Sequence, residues 1–445
     1  MQIRDNLPNI ITTGGDVLAP MSKEHIARQK LFAAYWSYYK GNHRRPIKVR
    51  EGQADDNVIE NWSKKIVNHG VNFLFGKGVT FQTDDNPDRN RSEQYLDAFW
   101  KDDPGRNFFP GLFLMQLAQN GAVTGTPVVR IYPPKPGDAL PYVRAIDPAI
   151  VEIITNPDDV EHVTGYHLIW KSGDAWRRHR IEEDASGLMW MIFAETHNGR
   201  NWILEDETAW EYDFAPVMHT QNLIVANEAY GASDLQDADL NDAINAIASN
   251  NNRIVRFHAH PKTIGTGFQA NQLVQTAVDQ FWTIPGEGAK VYNLEMQSEL
   301  AASYQHLRNI EEAFHQIADI PRLDPAQINL GALSGFALRI LYGPLLDKTS
   351  HKRQTYGSLL MRLNRALLIL GGLPDEPVSN IWPYPLPVDP LQRAQEFQAL
   401  TSIPGVDVYE AALVAGYDEP TARRMTSGGD RLLVPDTPSG PETLV

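Results

Sequence analysis

The sequence predicts a mainly α-helical α+β protein, and three observations lead to that class. Apolar and aromatic residues recur at helical spacing up to about residue 125, and again after about residue 226. The part between them, 126–225, consists of short runs rich in β-branched and aromatic residues. Two long helical segments, 233–258 and 299–320, flank a small module, which predicts an elongated pair of antiparallel helices.

The composition limits the classes of function. The chain has 445 residues, enough for roughly two to four domains, and it contains no cysteine, which excludes disulfides and Cys-ligated zinc. Its longest apolar run, 366–373, is far shorter than the ~20 residues that cross a bilayer, so we expect no membrane span. Lys+Arg 40 against Asp+Glu 55 gives a formal net charge of −15. A chain with this charge is poorly suited to hold nucleic acid through its phosphates.

The N-terminal part predicts three helices. Ser22 is placed to cap the first helix, which ends near Gly41. The second helix follows the acidic start "ADDN", and Gly76 and Gly78 stop it. The third helix covers 110–125. Apolar residues near helical spacing in the first two segments predict an apolar face on each of those helices.

The region 126–225 predicts short strands. The runs "PVVRIYPP", "YVRAIDP", "IVEIITNPDD", "VTGYHLIW", "LMWMIFAE" and "NWILED" have the composition of strands. Turn residues at 156–159 and 197–199 separate neighbouring runs. Strands joined by short turns pair antiparallel, so the sequence predicts a mostly antiparallel β region within a helical protein.

The first of the two long helices is predicted to begin at Ser233 as its N-cap. Carboxylates crowd its early turns, where the helix dipole favours anions: Asp234, Asp237, Asp239 and Asp242. The run 249–252, Ser-Asn-Asn-Asn, is poor helix material, so packing must support it. Apolar residues at helical spacing predict where the two long helices pack together: Leu240, Ile244, Ile247 and Ile254 on the first, and Leu307, Ile310 and Phe314 on the second.

A glycine-rich elbow, "GALSG" at 331–335, follows the second long helix. Another helix then continues to about residue 371, and Gly343 with Pro344 predicts a kink in it. A proline-stiffened connector leads to shorter helices within 389–425. The tail, 426–445, is dominated by Ser, Thr, Gly and Pro, and we expect it to be disordered.

Several short motifs resemble parts of active sites. The elbow offers Ser334 as a nucleophile, but its order G-x-x-S-G and the lack of a preceding strand differ from the hydrolase elbow. "GVNFLFGKG" resembles a phosphate-binding loop, but its spacing differs and no Ser or Thr follows Lys77. His258 and His260 diverge on a helix and have no carboxylate at a matching spacing. We predict no enzyme, no catalytic residue, no metal and no cofactor; a hydrolase that uses Ser334 is the alternative.

Five phrases taken together resemble a known family. They are "WSYYKGNH", "NHGVNFLFGKGVTF", "RAIDPAIVEIITNPDD" with "GYHLIW", "NEAYGASDLQDADLNDAINA" and "ALSGFALRILYGPLLDK". In this order, from about residue 35 to about residue 365, they resemble the portal proteins of tailed bacteriophages that package DNA by headfuls, the SPP1-like portal family. The phrase "YGASDL" leading into a long helix is among the most specific of them.

The resemblance implies an elongated portal fold with named parts. These are a wing at 1–225, helical at 20–125 and β-rich at 126–225; stem helices at 226–258 and 296–321; a small α/β clip at 259–295; a tunnel loop at 322–337; a long kinked wing helix with its connector at 338–388; a helical crown at 389–425; and a tail at 426–445.

The resemblance also implies roles for particular residues. The tunnel loop would face DNA with Gln327, Asn329, Leu330, Gly331, Ser334 and Gly335. The clip would dock partner proteins with Lys262, Gln269, Gln272, Gln275, Trp282, Glu287 and Lys290. Basic side chains of the long wing helix would be available for salt bridges between subunits: Lys348, Lys352, Arg353 and Arg362.

The function that the resemblance implies is that of a portal protein at the unique vertex of a phage capsid. Such proteins form a ring, usually of twelve subunits, through which double-stranded DNA is packaged and ejected. Their partners are the terminase large subunit, the head-completion adaptor, and the major capsid and scaffolding proteins. We expect assembly in the host cytoplasm, a place in the virion and no contact with a membrane. Another phage head-assembly structural protein is the alternative.

Overall fold

The computed structural model describes most of the chain. The described residues are 20–49, 51, 55–83, 91–135, 137–184, 186–187, 189–259, 262–266, 290–294, 300–322, 335–386, 390–415, 417 and 419–426. Helices dominate before residue 125 and after residue 239, and antiparallel strands fill most of the part between them. The predicted mainly helical α+β class is confirmed.

The N-terminal helices form as their capping residues predict. Ser22 Oγ accepts a hydrogen bond of 3.0 Å from the backbone N–H of His25, which confirms it as the N-cap of the first helix. Gly76 is the C-cap of the second helix, and Gly78, at a φ of 75°, turns the chain into a strand. This stretch is therefore a helix end followed by a strand. The elements are α1 (Lys23–Tyr39), α2 (Trp62–Phe75), β1 (Thr80–Thr83), α3 (Arg91–Phe99) and α4 (Pro110–Thr124).

The β region contains two antiparallel sheets. The smaller has the strand order β3-β2-β9, and the larger the order β4-β5-β6-β7-β8, in which each strand pairs with its neighbour in sequence. This confirms the predicted antiparallel region. The strands are β2 (Val128–Tyr132), β3 (Tyr142–Ile146), β4 (Val151–Asn156), β5 (Asp159–Ser172), β6 (Ala175–Glu183), β7 (Trp190–His197), β8 (Trp202–Trp210) and β9 (Val217–His219), with a 3-10 helix at Pro148–Ile150 before β4.

A long helix, α8 (Gly343–Leu370), passes through the main core. Its side chains at 356, 359, 360 and 363 are fully buried, and this spacing gives one face that packs against α2, α3 and the strand β12 (Val378–Ile381). β12 pairs with β1. Burying a large apolar side chain contributes roughly 1.5–3 kcal/mol, so this face anchors the C-terminal half of the chain to the N-terminal helices. We call α1–α4, β1–β9, β12 and α8 the body.

Two further helices, α5 (Asp239–Ala259) and α6 (Leu300–Ile317), lie together and are called the stem helices. Between them in sequence, β10 (Lys262–Thr266) and β11 (Lys290–Leu294) pair antiparallel. The predicted start of the first stem helix at Ser233 is wrong, because residues 234–238 form turns and α5 begins at Asp239. The predicted end of the second near 320 is also too late, because Asp319 adopts a φ of 59° and reverses the chain.

The C-terminal elements complete the described chain. They are α7 (Gly335–Leu341), which precedes α8, and then α9 (Pro390–Thr401), α10 (Val408–Val414) and α11 (Glu419–Thr426), of which α10 packs against both neighbours. Among the described residues, no helix combines the length and the apolar character needed to cross a membrane.

Candidate functional site: the stem helices and their junction with the body

A small apolar cluster joins the stem helices to α2. Ile244 of α5 and Phe314 of α6 are buried together with Ile66 of α2. Leu240, Leu307 and Ile310, which the sequence predicted as stem contacts, are partly buried and pack against this cluster. The other two predicted stem residues, Ile247 and Ile254, are half-buried and lie outside it. The apolar contact between stem and body is therefore short and confined to one end of α5.

A row of polar side chains on α5 carries a second contact, which the sequence analysis missed. It binds the segment 55–63, most of which belongs to no helix or strand. Asn241 Oδ1 accepts hydrogen bonds of 3.1 Å from both the backbone N–H and the hydroxyl of Ser63. Asn241 Nδ2 donates to the carbonyl of Glu60 at 2.8 Å. Asn241 is fully buried, so these bonds replace all of its contact with water.

The row continues along the helix at regular spacing. Asn245 Oδ1 accepts from the backbone N–H of Glu60 at 2.9 Å, and Ser249 Oγ accepts from that of Val58 at 2.9 Å. Further on, Asn252 Nδ2 donates to the carbonyl of Asp56 at 3.0 Å. Arg256 also forms an ion pair with the carboxylate of Asp56. We call these four α5 side chains, together with Asn241, the polar row.

The geometry of the two chains explains this register. Four residues of an α-helix rise about 6 Å, and two residues of an extended chain span about 6.6 Å. Asn245 and Ser249 are four apart, and the residues that they bind, Glu60 and Val58, are two apart. The helix can therefore supply one partner for alternate residues of the segment, whose backbone groups would otherwise lack partners. Asn and Ser are weak helix formers, so their spacing of four along α5 was a signal that the sequence analysis could have used.

A buried ion pair lies at the base of the stem helices. Asp234 precedes α5, and its Oδ2 is 2.5 Å from Nζ of Lys352 in the middle of α8. The side chains are 1% and 3% exposed, respectively. Asn222 Nδ2 donates to Asp234 Oδ1 at 3.3 Å, and the Tyr356 hydroxyl donates to Asn222 Oδ1 at 3.1 Å. The carboxylate therefore has hydrogen-bond donors on both oxygens, as a buried charge requires.

This ion pair corrects two expectations. Asp234 was predicted to complement the dipole of the first stem helix, but it lies before that helix and binds α8. Lys352 was expected to be available for salt bridges between subunits, but it is buried within its own chain. The hydroxyl of Ser233, the predicted N-cap, donates instead to the carbonyls of Ala122 and Val123 at the end of α4. These buried partners hold residues 233–234 outside helical geometry, so the helix begins later.

At the junction, the opposite charges of the lysines and Asp234 counteract the effect of burial on the pKa of each partner. Burial alone raises the pKa of Asp234, but the positive charges of Lys352 and Lys348 outweigh it, so this pKa lies below its ordinary value. Burial lowers the pKa of Lys352, and the charge of Asp234 opposes that effect. A Cβ atom on Gly70 of α2 would lie 3.3 Å from Asp234 Oδ2, so the glycine lets α2 pack closely against the pair. The junction thus ties three elements, α2, α8 and the start of the stem, at one point.

Lys348 extends the junction to the end of α6. Its Nζ lies 3.8 Å from Asp234 Oδ1 and 3.7 Å from Asp319 Oδ2, and it donates to the carbonyl of Ala318 at 3.2 Å. Lys348 thus contacts the two residues that directly follow α6. An open cleft of about 440 Å³ lies beside them, and residues that line it include Arg308, His315, Asp319, Arg322, Leu341 and Pro344.

Gly343 and Pro344, the predicted kink, lie where α7 and α8 meet. α7 ends at Leu341, Tyr342 leaves helical geometry with a φ of −91° and a ψ of 4°, and α8 begins at Gly343. Pro344 is in the first turn of α8, where a missing N–H costs no hydrogen bond. The remaining two basic residues of the predicted set are also occupied within the chain, since Arg353 donates to the carbonyl of Pro383 and Arg362 to that of His219.

Three of the site residues predicted for the clip and tunnel loop lie within the described part of the chain: Lys262, Lys290 and Gly335. Lys262 and Lys290 lie at opposite ends of the paired strands β10 and β11, where Lys262 pairs with Leu294 and Lys290 pairs with Thr266. Gly335 begins α7. The other predicted clip and tunnel-loop residues lie outside the described residues: Gln269, Gln272, Gln275, Trp282, Glu287, Gln327, Asn329, Leu330, Gly331 and Ser334. His260 also lies outside them, and within the described ranges no group of His, Cys, Asp and Glu could hold a metal ion.

Comparison with protein families identifies the chain. Residues 20–404 match the model of the family described as "Phage portal protein, SPP1 Gp6-like". The chain belongs to this family. The match covers most of the sequence and includes the stem helices, the polar row and the junction, and it confirms the resemblance seen in the sequence. The phage portal proteins are a family of structural proteins of the phage head. No curated protein matches the portal chain in sequence.

Solved structures with a similar fold come from gene transfer agent (GTA) particles. A chain from the neck of a native GTA particle, computed with C12 symmetry, is 14% identical, with 80% of this chain and 89% of that chain covered and a TM-score of 0.44. A chain from the virion of a native GTA particle is 16% identical, with 92% and 96% covered and a TM-score of 0.48. A chain from the neck of an empty GTA particle, computed with C6 symmetry, is 15% identical, with 81% and 90% covered and a TM-score of 0.47.

Proposed function

We propose that this portal protein forms a ring, usually of twelve subunits, at the unique vertex of a phage capsid, where double-stranded DNA passes in during packaging and out during ejection. The observation that carries the proposal is the match of residues 20–404 to the phage portal family. The protein acts without catalysis. Within the ring, the terminase large subunit and the head-completion adaptor dock at the clip, and the major capsid and scaffolding proteins surround the wing.

The parts of the portal follow the chain. We assign the wing to 1–225 and to the long helix and connector at 338–388, the clip to 259–295, the tunnel loop to 322–337 and the crown to 389–425. The stem helices are α5 and α6, tied to the wing by the polar row and the Asp234–Lys352 pair. Because Lys348 of the long wing helix contacts Ala318 and Asp319, which follow α6, a shift of the second stem helix would also act on the wing helix.

The charge of the chain suits a conduit. Twelve copies at −15 each carry 12 × −15 = −180 formal charges. DNA carries one phosphate charge per ~1.7 Å of its axis, so a negatively charged lining prevents a moving duplex from adhering. At about 0.15 M salt the Debye length is ~8 Å, which makes this repulsion effective only close to the wall.

Electron microscopy of the purified full-length protein tests the proposal. We expect closed rings with a central channel, both alone and after co-expression with the capsid and scaffolding proteins of its phage, and we expect one ring at a single vertex of each procapsid. A protein that stays monomeric in both settings would contradict the proposal. Particles that contain the protein at many sites would identify it as another head-assembly protein.

A further inference from the structure

The two edges of the five-stranded sheet differ in how the chain covers them. At the β4 edge, the backbone N–H of Ile153 donates to the hydroxyl of Tyr230 at 2.7 Å, and Glu152 accepts a hydrogen bond from Ser22 at the start of α1. At the β8 edge, every residue from 203 to 209 is exposed. Ile203 and Leu204 are each 50% exposed. β8 therefore offers an open backbone edge with apolar side chains beside it.

The open edge is also acidic. Glu205, Asp206 and Glu207 follow one another on β8, and none of them forms an ion pair within the described part of the chain. The residues opposite Asp206 and Glu207 on β7 are Ala194 and Phe193, which carry no charge. Two of the three arginines of β6, the strand beyond β7, bind another acid, because Arg178 and Arg180 both pair with Glu195. The negative charge of this edge is left for a partner outside the chain.

A cluster of unpaired cations lies elsewhere on the same chain, where α1 ends and α2 begins. Asn61 Nδ2 donates to the carbonyl of Tyr39 at 3.0 Å and joins the two helix ends. The cations around this contact are exposed and form no ion pair within the described residues: Lys40, Arg44, Lys48 and Lys64. We call these four residues the basic surface.

The basic surface and the β8 edge are separate surfaces of the subunit. α1 has 17 residues, which span about 25 Å. It starts at the sheet, where Ser22 binds Glu152, and it ends at the basic surface. One subunit therefore carries an acidic, partly apolar edge and a basic surface at a distance that prevents them from neutralising each other at a Debye length of ~8 Å.

We propose that the β8 edge of one subunit binds the basic surface of the next subunit, and that this contact closes the ring. The proposal rests on the ring-forming function proposed above. A ring needs a heterologous contact between two different patches of the same chain, which is what these surfaces supply. Two β8 edges would repel each other through their carboxylates, so a twofold pairing of open edges is disfavoured. The opposite charges bring neighbouring subunits together, and Ile203 and Leu204 lose water at the contact.

A simpler role for the acidic run is protection of a free edge against aggregation. Charged side chains on an edge strand serve that purpose whether they are negative or positive. Protection alone therefore predicts that reversing the charges leaves assembly unchanged. A contact with the basic surface predicts that the same reversal prevents assembly, because like charges then face each other.

The experiment measures the fraction of full-length protein in rings by mass photometry at about 0.15 M salt. We expect Glu205→Lys with Glu207→Lys to lower that fraction about tenfold or more, since like charges at an interface cost several kcal/mol. The matched control is Asp158→Lys with Glu161→Lys, which makes the same change of net charge at exposed positions in the turn after β4 and at the start of β5. The control should assemble as the unmodified protein does.

Reversal of the basic surface completes the test. Arg44→Glu with Lys64→Glu should also abolish rings, and a chain that carries all four changes should assemble again. Mixing the two double variants should give rings in which they alternate, seen when a tag on one variant recovers the other in equal amount. Intact rings after either single-surface reversal, or equal loss in the control, would overturn the proposal while leaving the portal function standing. Absence of rings in the unmodified protein would instead count against the portal function.

Discussion

The body and the stem helices are held by different kinds of contact. In the body, Tyr356, Leu359, Leu360 and Leu363 of α8 lie in a continuous apolar core with α2, α3 and α4. The stem helices share only a small apolar cluster with the body, centred on Phe314. Along the rest of α5, buried Asn and Ser side chains make the contact.

The two kinds of contact have different effects on the stability of the fold and on the placement of the stem helices. Apolar packing is strong and tolerates small shifts, because it depends on area and volume. Hydrogen bonds contribute only about 1 kcal/mol net each, but they require defined distances and angles. We infer that the apolar core keeps the chain folded, and that the polar row and the Asp234–Lys352 pair fix where the stem helices stand on it.

Removal of Lys352 should have the largest effect on stability, because it removes the buried ion pair with Asp234 at the place where the stem helices join the body. Lys352→Met leaves the carboxylate of Asp234 buried without its main counter-charge, and we expect the free energy of unfolding to fall by about 3–5 kcal/mol. Urea denaturation of purified protein measures this. The double variant Asp234→Leu with Lys352→Met removes both charges and should recover much of the loss. A loss below about 1 kcal/mol in the single variant would show that the junction does not hold the stem.

Asn241 tests the polar row. Asn241→Ala removes the partner of the buried backbone N–H and hydroxyl of Ser63 and of the carbonyl of Glu60, which costs about 1–3 kcal/mol. We expect faster amide hydrogen exchange at 58–63 and unchanged exchange in the buried turns of α8. Asn250→Ala is the matched control, because Asn250 lies on the same helix and is exposed. Equal effects of the two substitutions would remove the distinction between the row and the rest of α5.

Low pH should weaken the body. Burial and the nearby charge of Arg362 lower the pKa of His219 to about 4, so this side chain is neutral in the folded protein at neutral pH. The unfolded chain binds a proton near pH 6.5, so the stability that depends on the neutral form is present above that pH and is lost as pH falls towards 4. Between pH 7 and pH 5 we expect His219 to account for a loss of about 2 kcal/mol in the free energy of unfolding.

The measurement for His219 is a pair of urea titrations at pH 7 and pH 5. His219→Gln should reduce the difference between the two, and His306→Gln, at an exposed position on α6, should leave it unchanged. A pH dependence that is the same in all three proteins would mean that other groups cause it.

The smallest effect is expected on the exterior of the body. Arg365 forms ion pairs with Asp213 and Asp375 at 2.8 and 2.9 Å, and all three side chains are well exposed. Arg365→Ala should change the free energy of unfolding by no more than about 1 kcal/mol, because water screens exposed pairs. Thermal unfolding of the variant checks this. A loss comparable to that of Lys352→Met would show that burial does not decide the strength of these contacts.

The sequence predicted the elements whose signals are local. The N-cap at Ser22, the helix end at Gly76 and the antiparallel order of the β region all follow from short patterns of residues. Of the seven stem residues predicted from helical spacing, five lie in or against the cluster around Phe314.

The errors arose where distant residues decide local structure. Ser233 has the sequence of an N-cap, but its hydroxyl binds carbonyls more than 100 residues earlier in the chain. Lys352 looks like any basic residue on a long helix, and only the fold brings it to Asp234. From the sequence, the run 249–252 was interpreted only as poor helix material that needs support from packing. The polar row itself was missed, because the residues that it binds, in 55–63, are far away in sequence.

The spacing of the polar row also limits how the stem helices can move. Asn245 and Ser249 bind alternate residues of the segment 55–63, Glu60 and Val58, and Asn241 binds Ser63 and Glu60. A slide of α5 by a fraction of a turn would break every one of these bonds at once, whereas a slide of about 6 Å would bring each side chain opposite the next partner. We therefore expect the stem helices to move between discrete positions about 6 Å apart and not over a continuous range.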